Sequence, residues 1–226
     1  MRKTAVLDTV RPPIEAPTTE PTSPDGRTEQ WRRTGAAPLS GVIDDAGWDA
    51  LVREAVSCEP AAADRINDCP GLMAYRDGSI TSPQRCRAHR GGSALRALAI
   101  GPALLEAARA VTGQCTLVPA RYGFKYYRPG DFMAVHRDSV KCAGITVSFA
   151  LTENLGPMGW LPQLRDASND AVLAHIGAEP FPSDGEEFPL TDGMFHGFDG
   201  YNIPHWRPPH AGDGVAILGT VCFFAL

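Results

Sequence analysis

The most informative segment of this chain runs from Tyr126 to Ser139 and reads YYRPGDFMAVHRDS. Pro129-Gly130 is a turn signal between two apolar runs, so the segment predicts a strand, a tight turn and a second strand over Phe132–His136. Successive side chains of a strand point to opposite faces. His136 and Asp138 are two positions apart, and we expect them to project into one cavity.

The surrounding sequence divides into a helical part followed by a strand-rich part. Helical periodicity over about 45–58 and 93–111, the second interrupted at Gly101-Pro102, precedes a series of short apolar runs separated by turn residues. Helices followed by strands indicate an α+β fold with a β-sandwich or barrel core. The strands predicted besides Phe132–His136 cover 116–119, 121–127, 145–152, 194–204 and 215–224.

Length and composition predict how the chain is divided into domains. The 226 residues suit one domain with a tail, and 43% hydrophobic with 21% charged residues is typical of globular proteins. Proline-rich residues 1–40 predict a flexible N-terminal arm, and 41–226 a single domain with a helical part over about 41–113 and a β core over about 114–226. Residues 59–90 are expected to be irregular, and 153–192 to form a lid or a plain connecting loop.

Charge and hydropathy exclude several classes of protein. A net charge of −5 provides no basic surplus for a nucleic-acid backbone. No apolar segment is long enough to span a bilayer, so we expect a cytoplasmic protein that acts on a small molecule. The six cysteines contain no Cys-x-x-Cys pair, and buried free thiols are expected.

A third residue completes a candidate metal site. His205 lies on a later predicted strand, and two histidines with one carboxylate are the ligand set of non-haem Fe(II) sites that activate O₂. His210 and His196 are alternative distal ligands. The sequence therefore predicts a metal centre formed by His136, Asp138 and His205.

These motifs resemble the Fe(II)/2-oxoglutarate-dependent oxygenases, and the prolyl-hydroxylase-like branch in particular. The resemblance covers about residues 115–226 and rests on Tyr-x-Pro-Gly-Asp at 127–131, His-x-Asp at 136–138, Gly-Trp-Leu at 159–161 and Pro-His at 204–205. It implies a double-stranded β-helix, or jelly-roll, with helices packed on it. It also implies Fe(II), 2-oxoglutarate and O₂ as reactants in the hydroxylation or other oxidation of an unactivated C–H bond, in an amino acid or natural-product intermediate. Because halogenating members lack the carboxylate, Asp138 favours hydroxylation, desaturation or ring formation.

The sequence departs from this family at one position. Members usually carry an arginine or lysine beyond the distal histidine, on the last core strand, to pair with the far carboxylate of 2-oxoglutarate, but no lysine or arginine follows Arg207. Arg207 is two positions after His205, so on a strand it points to the same face, and it is the first candidate for this role. Arg121 and Tyr127 are the next candidates. Together with Lys125 they point to one face of the strand before the Pro129-Gly130 turn. A cupin-type metal-dependent lyase or dioxygenase, and a non-catalytic binding barrel, are the alternative functions.

Overall fold

The structure is a computed structural model that describes residues 24–69, 71–190 and 193–226. Its helices are α1 (Pro24–Thr34), α2 (Asp45–Cys58), α3 (Ser93–Ile100), α4 (Pro102–Thr112) and α5 (Asn169–Ile176). Its strands are β1 (Ala36–Leu39), β2 (Ala63–Asn67), β3 (Met73–Ala74), β4 (Ile80–Thr81), β5 (Gln84–His89), β6 (Leu117–Tyr127), β7 (Phe132–His136), β8 (Ile145–Ala150), β9 (Met158–Trp160), β10 (Glu186–Phe188), β11 (Phe195–Phe198), β12 (His205–Arg207) and β13 (Ala216–Ala225). No helix in these parts of the chain is long and apolar enough to span a bilayer.

Strands β6 to β13 form two facing antiparallel layers. The first layer has the order β11-β8-β13-β6 and the second the order β7-β12-β9-β10. The chain passes from one layer to the other at every connection from β6 to β13 except β9 to β10, which is the winding of a jelly-roll. The predicted α+β fold with a jelly-roll core is confirmed.

Helices α1 to α4 cover the outer face of the first layer, whereas α5 packs through Val172 and Ile176 against Val135 and Trp206 of the second layer. Along β6, Phe124 and Tyr126 point to the helices and belong to the main hydrophobic core, and the Tyr126 hydroxyl donates a hydrogen bond to the carbonyl of Ala55 in α2 at 2.8 Å. Lys125 and Tyr127, at the alternate positions, face the space between the two layers. The interior of the jelly-roll is therefore available for a binding site.

Local signals explain the helix boundaries that the sequence predicted. The Asp44 side chain accepts a hydrogen bond from the amide of Gly47 and caps α2. Pro102 occupies the first turn of α4, where its missing N–H costs nothing, and Gly113 ends that helix with a left-handed conformation. The predictions of α2 and of a break between α3 and α4 are confirmed.

The prediction of a flexible arm over residues 1–40 is wrong for the part that the structure describes. Residues 24–39 form α1 and β1, β1 pairs with β11, and Trp31 is buried. Trp31 and the apolar run Ala36–Leu39 together bury enough surface to order the segment despite its high proline content. Residues 1–23 lie outside the described residues.

The two segments expected to be irregular contain strands that complete the sheets. Residues 59–90 include β5, which pairs with β6 of the first layer and β7 of the second and so joins the layers, and β2, which pairs with β5. Residues 153–192 include β9 and β10 of the second layer, as well as α5. Predicted strand 194–204 ends early, because β11 stops at Phe198 and the chain turns before β12. Strands of two to six residues carry too little alternation to be recognised in a sequence.

Candidate metal centre

Three side chains converge at one end of the second layer. His136 is the last residue of β7, His205 is the first residue of β12, and the two are direct partners in the antiparallel ladder. Asp138 follows β7, and its Oδ1 lies 3.9 Å from Nε2 of His136 and 4.0 Å from Nε2 of His205. The ligand atoms of all three residues lie within 4.8 Å of one another.

The backbone fixes which nitrogen each imidazole offers. Nδ1 of His136 lies 3.0 Å from the carbonyl oxygen of Ala134, and Nδ1 of His205 lies 3.0 Å from that of Ile203. A carbonyl oxygen only accepts, so both Nδ1 atoms carry the proton and both Nε2 atoms keep a lone pair facing Asp138. Histidines that bind metals are oriented in this way by a second hydrogen bond.

Asp138 is held by one oxygen and leaves the other available. Its Oδ2 accepts a hydrogen bond of 2.6 Å from the hydroxyl of Thr146 in β8, and its amide donates to the carbonyl of Gly200 at 2.8 Å. Burial raises the pKa of the carboxyl, but His205, His136 and the Thr146 hydroxyl outweigh burial and lower it. The Oδ1 atom is therefore a charged ligand at neutral pH.

Burial also keeps the two imidazoles neutral. It lowers the pKa of His136 to about 3, with the neighbouring His205 acting in the same direction, and it lowers the pKa of His205. Two neutral imidazoles and one carboxylate, each with a free donor atom, suit a divalent first-row metal. The residues present therefore fit Fe(II).

The two alternative distal ligands lie away from this cluster. His196, in β11, packs edge-on against Phe188, and burial lowers its pKa to about 4. His210 is buried in the turn region, where its amide donates to the carbonyl of Asp131 and its carbonyl accepts from the amide of Gly130. Neither joins the metal-binding group found among the described residues.

A cavity of about 980 Å³ opens beside the three ligands. Its wall includes inward-facing residues of β2, β5, β6, β13 and β8, together with residues of the second layer such as Met133 and Met158. Thr146, Ser148 and Thr220 make this inner face polar, whereas the outer face of the same sheet is apolar. The cavity leads from solvent to the candidate metal centre.

Arg207 lies in the wall of this cavity as a buried cation. Its Nη1 donates hydrogen bonds to the carbonyl oxygens of Leu155 at 3.1 Å and Gly156 at 3.2 Å, and its Cζ lies 5.5 Å from the centroid of the Tyr127 ring. Burial lowers its pKa, but a guanidinium keeps its proton at neutral pH. Its Nη2 is buried and has no hydrogen-bond partner among the described residues.

The other basic candidates occupy different depths. Lys125 is half-buried, with its Nζ 3.7 Å from Sδ of Met133. Arg121 also lines the cavity, but its side chain is exposed. The sequence predicted that three residues of β6 share one face, and all three face the cavity at different depths from solvent: Arg121, Lys125 and Tyr127.

The sequence analysis did not single out Thr146 or Gly200. Thr146 is a hydroxyl residue in an otherwise largely apolar strand, which is a weak signal. Gly200 gives no signal in a single sequence, because its role is a close tertiary approach: a Cβ at that position would collide with Oδ2 of Asp138.

Comparison with known proteins identifies this architecture by structure alone. No family model matches the sequence, and no curated protein matches it. Among solved structures, the chain is similar to SnoN, the non-heme alpha ketoglutarate dependent epimerase from nogalamycin biosynthesis, with 16% identity over 91% of this chain and 84% of that chain and a TM-score of 0.63. The fold is that of the Fe(II)/2-oxoglutarate-dependent oxygenases.

Two further structures extend the likeness within this fold. HygX from Streptomyces hygroscopicus, with nickel, 2-oxoglutarate and hygromycin B bound, has 11% identity over 88% of this chain and 86% of that chain, at a TM-score of 0.60. A Pseudomonas putida prolyl-4-hydroxylase has 12% identity over 90% of this chain and 99% of that chain, at a TM-score of 0.54. Each likeness covers 88–91% of this chain, so it includes the helical part as well as the jelly-roll.

Proposed function

We propose that this protein is an Fe(II)- and 2-oxoglutarate-dependent oxygenase that oxidises an unactivated C–H bond of a small molecule. The observation that carries this proposal is the convergence of His136, Asp138 and His205, each with a free donor atom, at one end of a jelly-roll. SnoN comes from nogalamycin biosynthesis and HygX was crystallised with hygromycin B. These neighbours support a natural-product intermediate as the substrate, with an amino acid as the second candidate class.

The three ligands would hold Fe(II) through Nε2 of His136, Nε2 of His205 and Oδ1 of Asp138. When bound, the metal supplies reductive activation of O₂ coupled to decarboxylation of 2-oxoglutarate. The chain's own contribution is orientation. The carbonyls of Ala134 and Ile203 hold the protons on Nδ1 of the two histidines, and the Thr146 hydroxyl keeps one carboxylate oxygen occupied so that the other faces the imidazoles.

Arg207 is the residue that we propose for the distal carboxylate of 2-oxoglutarate. A buried carboxylate needs a cationic partner, and the last core strand, β13, contains no basic residue. Arg207 is buried in the cavity wall and stacked on Tyr127, and its Nη2 is free to donate. A guanidinium binds a carboxylate with two parallel hydrogen bonds. Tyr127 holds the guanidinium in place through this stacking.

The position of Arg121 argues against it as the first anchor. Its side chain is exposed, so solvent would screen its interaction with a carboxylate. Lys125 lies deeper, and its charge acts on the pKa values of His136, Asp138 and His205. Lys125 is therefore the second candidate for contact with the co-substrate.

Turnover without a substrate tests this proposal. Purified protein loaded anaerobically with Fe(II) is given 2-oxoglutarate and air, and succinate is quantified. We expect succinate to form with wild-type protein and not with His205→Ala, whereas His210→Ala should resemble the wild type. Binding of Fe(II) without any succinate would exclude 2-oxoglutarate as the co-substrate and favour the cupin-type alternative.

A further inference from the structure

The charged residues that line the cavity are nearly all cations. Asp138 is the one acidic residue among the lining residues that the structure describes, although the chain as a whole carries a net charge of −5. The basic residues of the lining are Arg65, Arg90, Arg121, Lys125, Arg137, Lys141 and Arg207. A cleft lined by one sign of charge focuses the electrostatic field and attracts ligands of the opposite sign.

These cations fall into an inner and an outer set. Arg207 and Lys125 form the inner set, and their charges act on the pKa values of the metal-binding side chains. Arg137 belongs to neither set, because its guanidinium donates to the carbonyl oxygens of Ala167 and Leu164. The outer set has exposed side chains and consists of Arg65, Arg90, Arg121 and Lys141.

Arg121 lies away from the far carboxylate of a 2-oxoglutarate held by Arg207, although its strand partner Cys222 pairs with Thr146, which contacts Asp138. Arg121 and Lys125 are four positions apart on β6, which corresponds to about 13 Å along the strand. A small dicarboxylate that binds the metal at one end and Arg207 at the other does not reach Arg121. Arg121 is therefore free for a second ligand.

None of the four outer cations has a hydrogen bond or ion pair with another residue that the structure describes. The more buried Arg87 and Arg165 are paired, at 3.8 Å from a carboxylate oxygen of Glu59 and 3.1 Å from one of Asp199. Like charges that line one opening repel one another, and an anion placed among them relieves that repulsion. Within the described residues the protein does not neutralise these charges, which leaves them available to a ligand.

We propose that the outer part of the cavity binds an anionic group of the substrate, a carboxylate or a phosphate, at the end remote from the carbon that is oxidised. Arg121 of β6 is the principal contact, because it occupies an inward-facing strand position and offers a planar fork. The Cα of Arg90 lies on the same face beside Gly123, two positions along β6 from Arg121. Arg90 and Lys141 flank the opening. The inference rests on the proposed function only for the statement that the other end of the substrate is oxidised. The anion site itself does not depend on the proposed function.

Matched probe pairs test the site directly. The protein is loaded with Zn(II), which binds the same ligands without redox chemistry, and saturated with 2-oxoglutarate. Calorimetry then compares phenylacetate with phenylacetamide, and phenyl phosphate with phenol. We expect the anionic member of at least one pair to bind roughly tenfold or more tightly than the neutral one, and the preference to shrink as NaCl is raised. The pair with the larger preference distinguishes carboxylate from phosphate.

Variants show whether the preference comes from the outer cations. Arg121→Gln combined with Arg90→Gln should abolish the preference, and Arg53→Gln, an exposed position on α2 outside the cavity, should leave it intact. Equal binding of anionic and neutral probes would overturn the inference. So would a loss of 2-oxoglutarate affinity in the double variant, because the outer cations would then belong to the co-substrate.

The experiment also separates this inference from the proposed function. Metal-free protein is titrated with the same probes. An anion preference there, in a protein that fails to bind Fe(II) or form succinate, would support the outer site and contradict the oxygenase. Normal succinate formation without any anion preference would support the oxygenase and contradict the outer site.

Discussion

The carbonyl of Gly200 accepts a hydrogen bond from the amide of Asp138 at 2.8 Å, so the turn after β11 contacts the residue that follows β7. This contact brings the two backbones so close that any Cβ on residue 200 would meet the carboxylate. On its other side, the same carboxylate oxygen accepts from Thr146. Asp138 is therefore fixed between the turn after β11 and strand β8, and its free oxygen faces the second layer.

Substitution of Gly200 should damage the metal centre while the fold persists. In Gly200→Ala the added methyl group displaces the Asp138 carboxylate. We expect the affinity for Co(II), used as a spectroscopic probe, to fall about 10- to 100-fold, as it does when groups that support a metal ligand are altered. Titration by absorption measures the affinity, and the melting temperature checks the fold. Unchanged affinity would show that Asp138 does not depend on this contact.

The Thr146 hydroxyl should control the pH at which the metal binds. In Thr146→Val the hydrogen bond that lowers the pKa of Asp138 is lost, so the pKa rises and protons compete with the metal up to a higher pH. The midpoint of metal binding on a pH titration should therefore move upward. Thr146→Ser keeps the hydroxyl and should behave as the wild type. Equal midpoints for the two variants would contradict the assigned role.

Arg207 should determine the affinity for 2-oxoglutarate without affecting the metal. Loss of a charge-assisted hydrogen bond, about 1.5–3 kcal/mol, corresponds to roughly a 10- to 150-fold weaker binding of the co-substrate. Calorimetry on the Zn(II)-loaded Arg207→Leu variant measures this change, and Zn(II) affinity should stay constant. Arg121→Gln is the control and should bind 2-oxoglutarate as the wild type does. Weaker binding of 2-oxoglutarate by Arg121→Gln, with no change in Arg207→Leu, would instead place the anchor at the cavity mouth.

The parts of the site that the sequence predicts are those built by local geometry. His136 and Asp138 share a face because they are two residues apart at the end of one strand, and Pro129-Gly130 marks the turn before that strand. The succession of strands between 116 and 224 predicted a β-sandwich or barrel core, and the resemblance to the oxygenase family implied the jelly-roll. The burial of Arg207 and the exposure of Arg121 could not be predicted from the sequence, because burial depends on how the two layers pack.

The elements that sequence reasoning missed are short and stabilised by distant partners. β9, β10 and β1 have three or four residues each, and their hydrogen bonds go to strands far along the chain. β5 joins both layers, although most of its residues are polar or charged. Such strands are determined by tertiary pairing rather than by local alternation.

Trp31 should be essential for stability, since it anchors the segment that was expected to be an arm. Its side chain is buried, and Arg165 packs over its ring at 5.8 Å while donating to its carbonyl at 3.1 Å. Trp31→Ala should lower the free energy of unfolding by about 3–5 kcal/mol. Chemical denaturation measures this, with the exposed Arg33→Ala as the control. A loss of unfolding free energy no larger than that of Arg33→Ala would mean that α1 does not pack on the domain.

Anaerobic equilibrium dialysis against Fe(II) tests the central claim, that His136, Asp138 and His205 form the metal centre. Wild-type protein and His210→Ala should each retain about one Fe(II) per chain, as a single facial site requires. His205→Ala should retain little or none while keeping the wild-type fold by circular dichroism. Full occupancy in His205→Ala, or its loss in His210→Ala, would contradict the account.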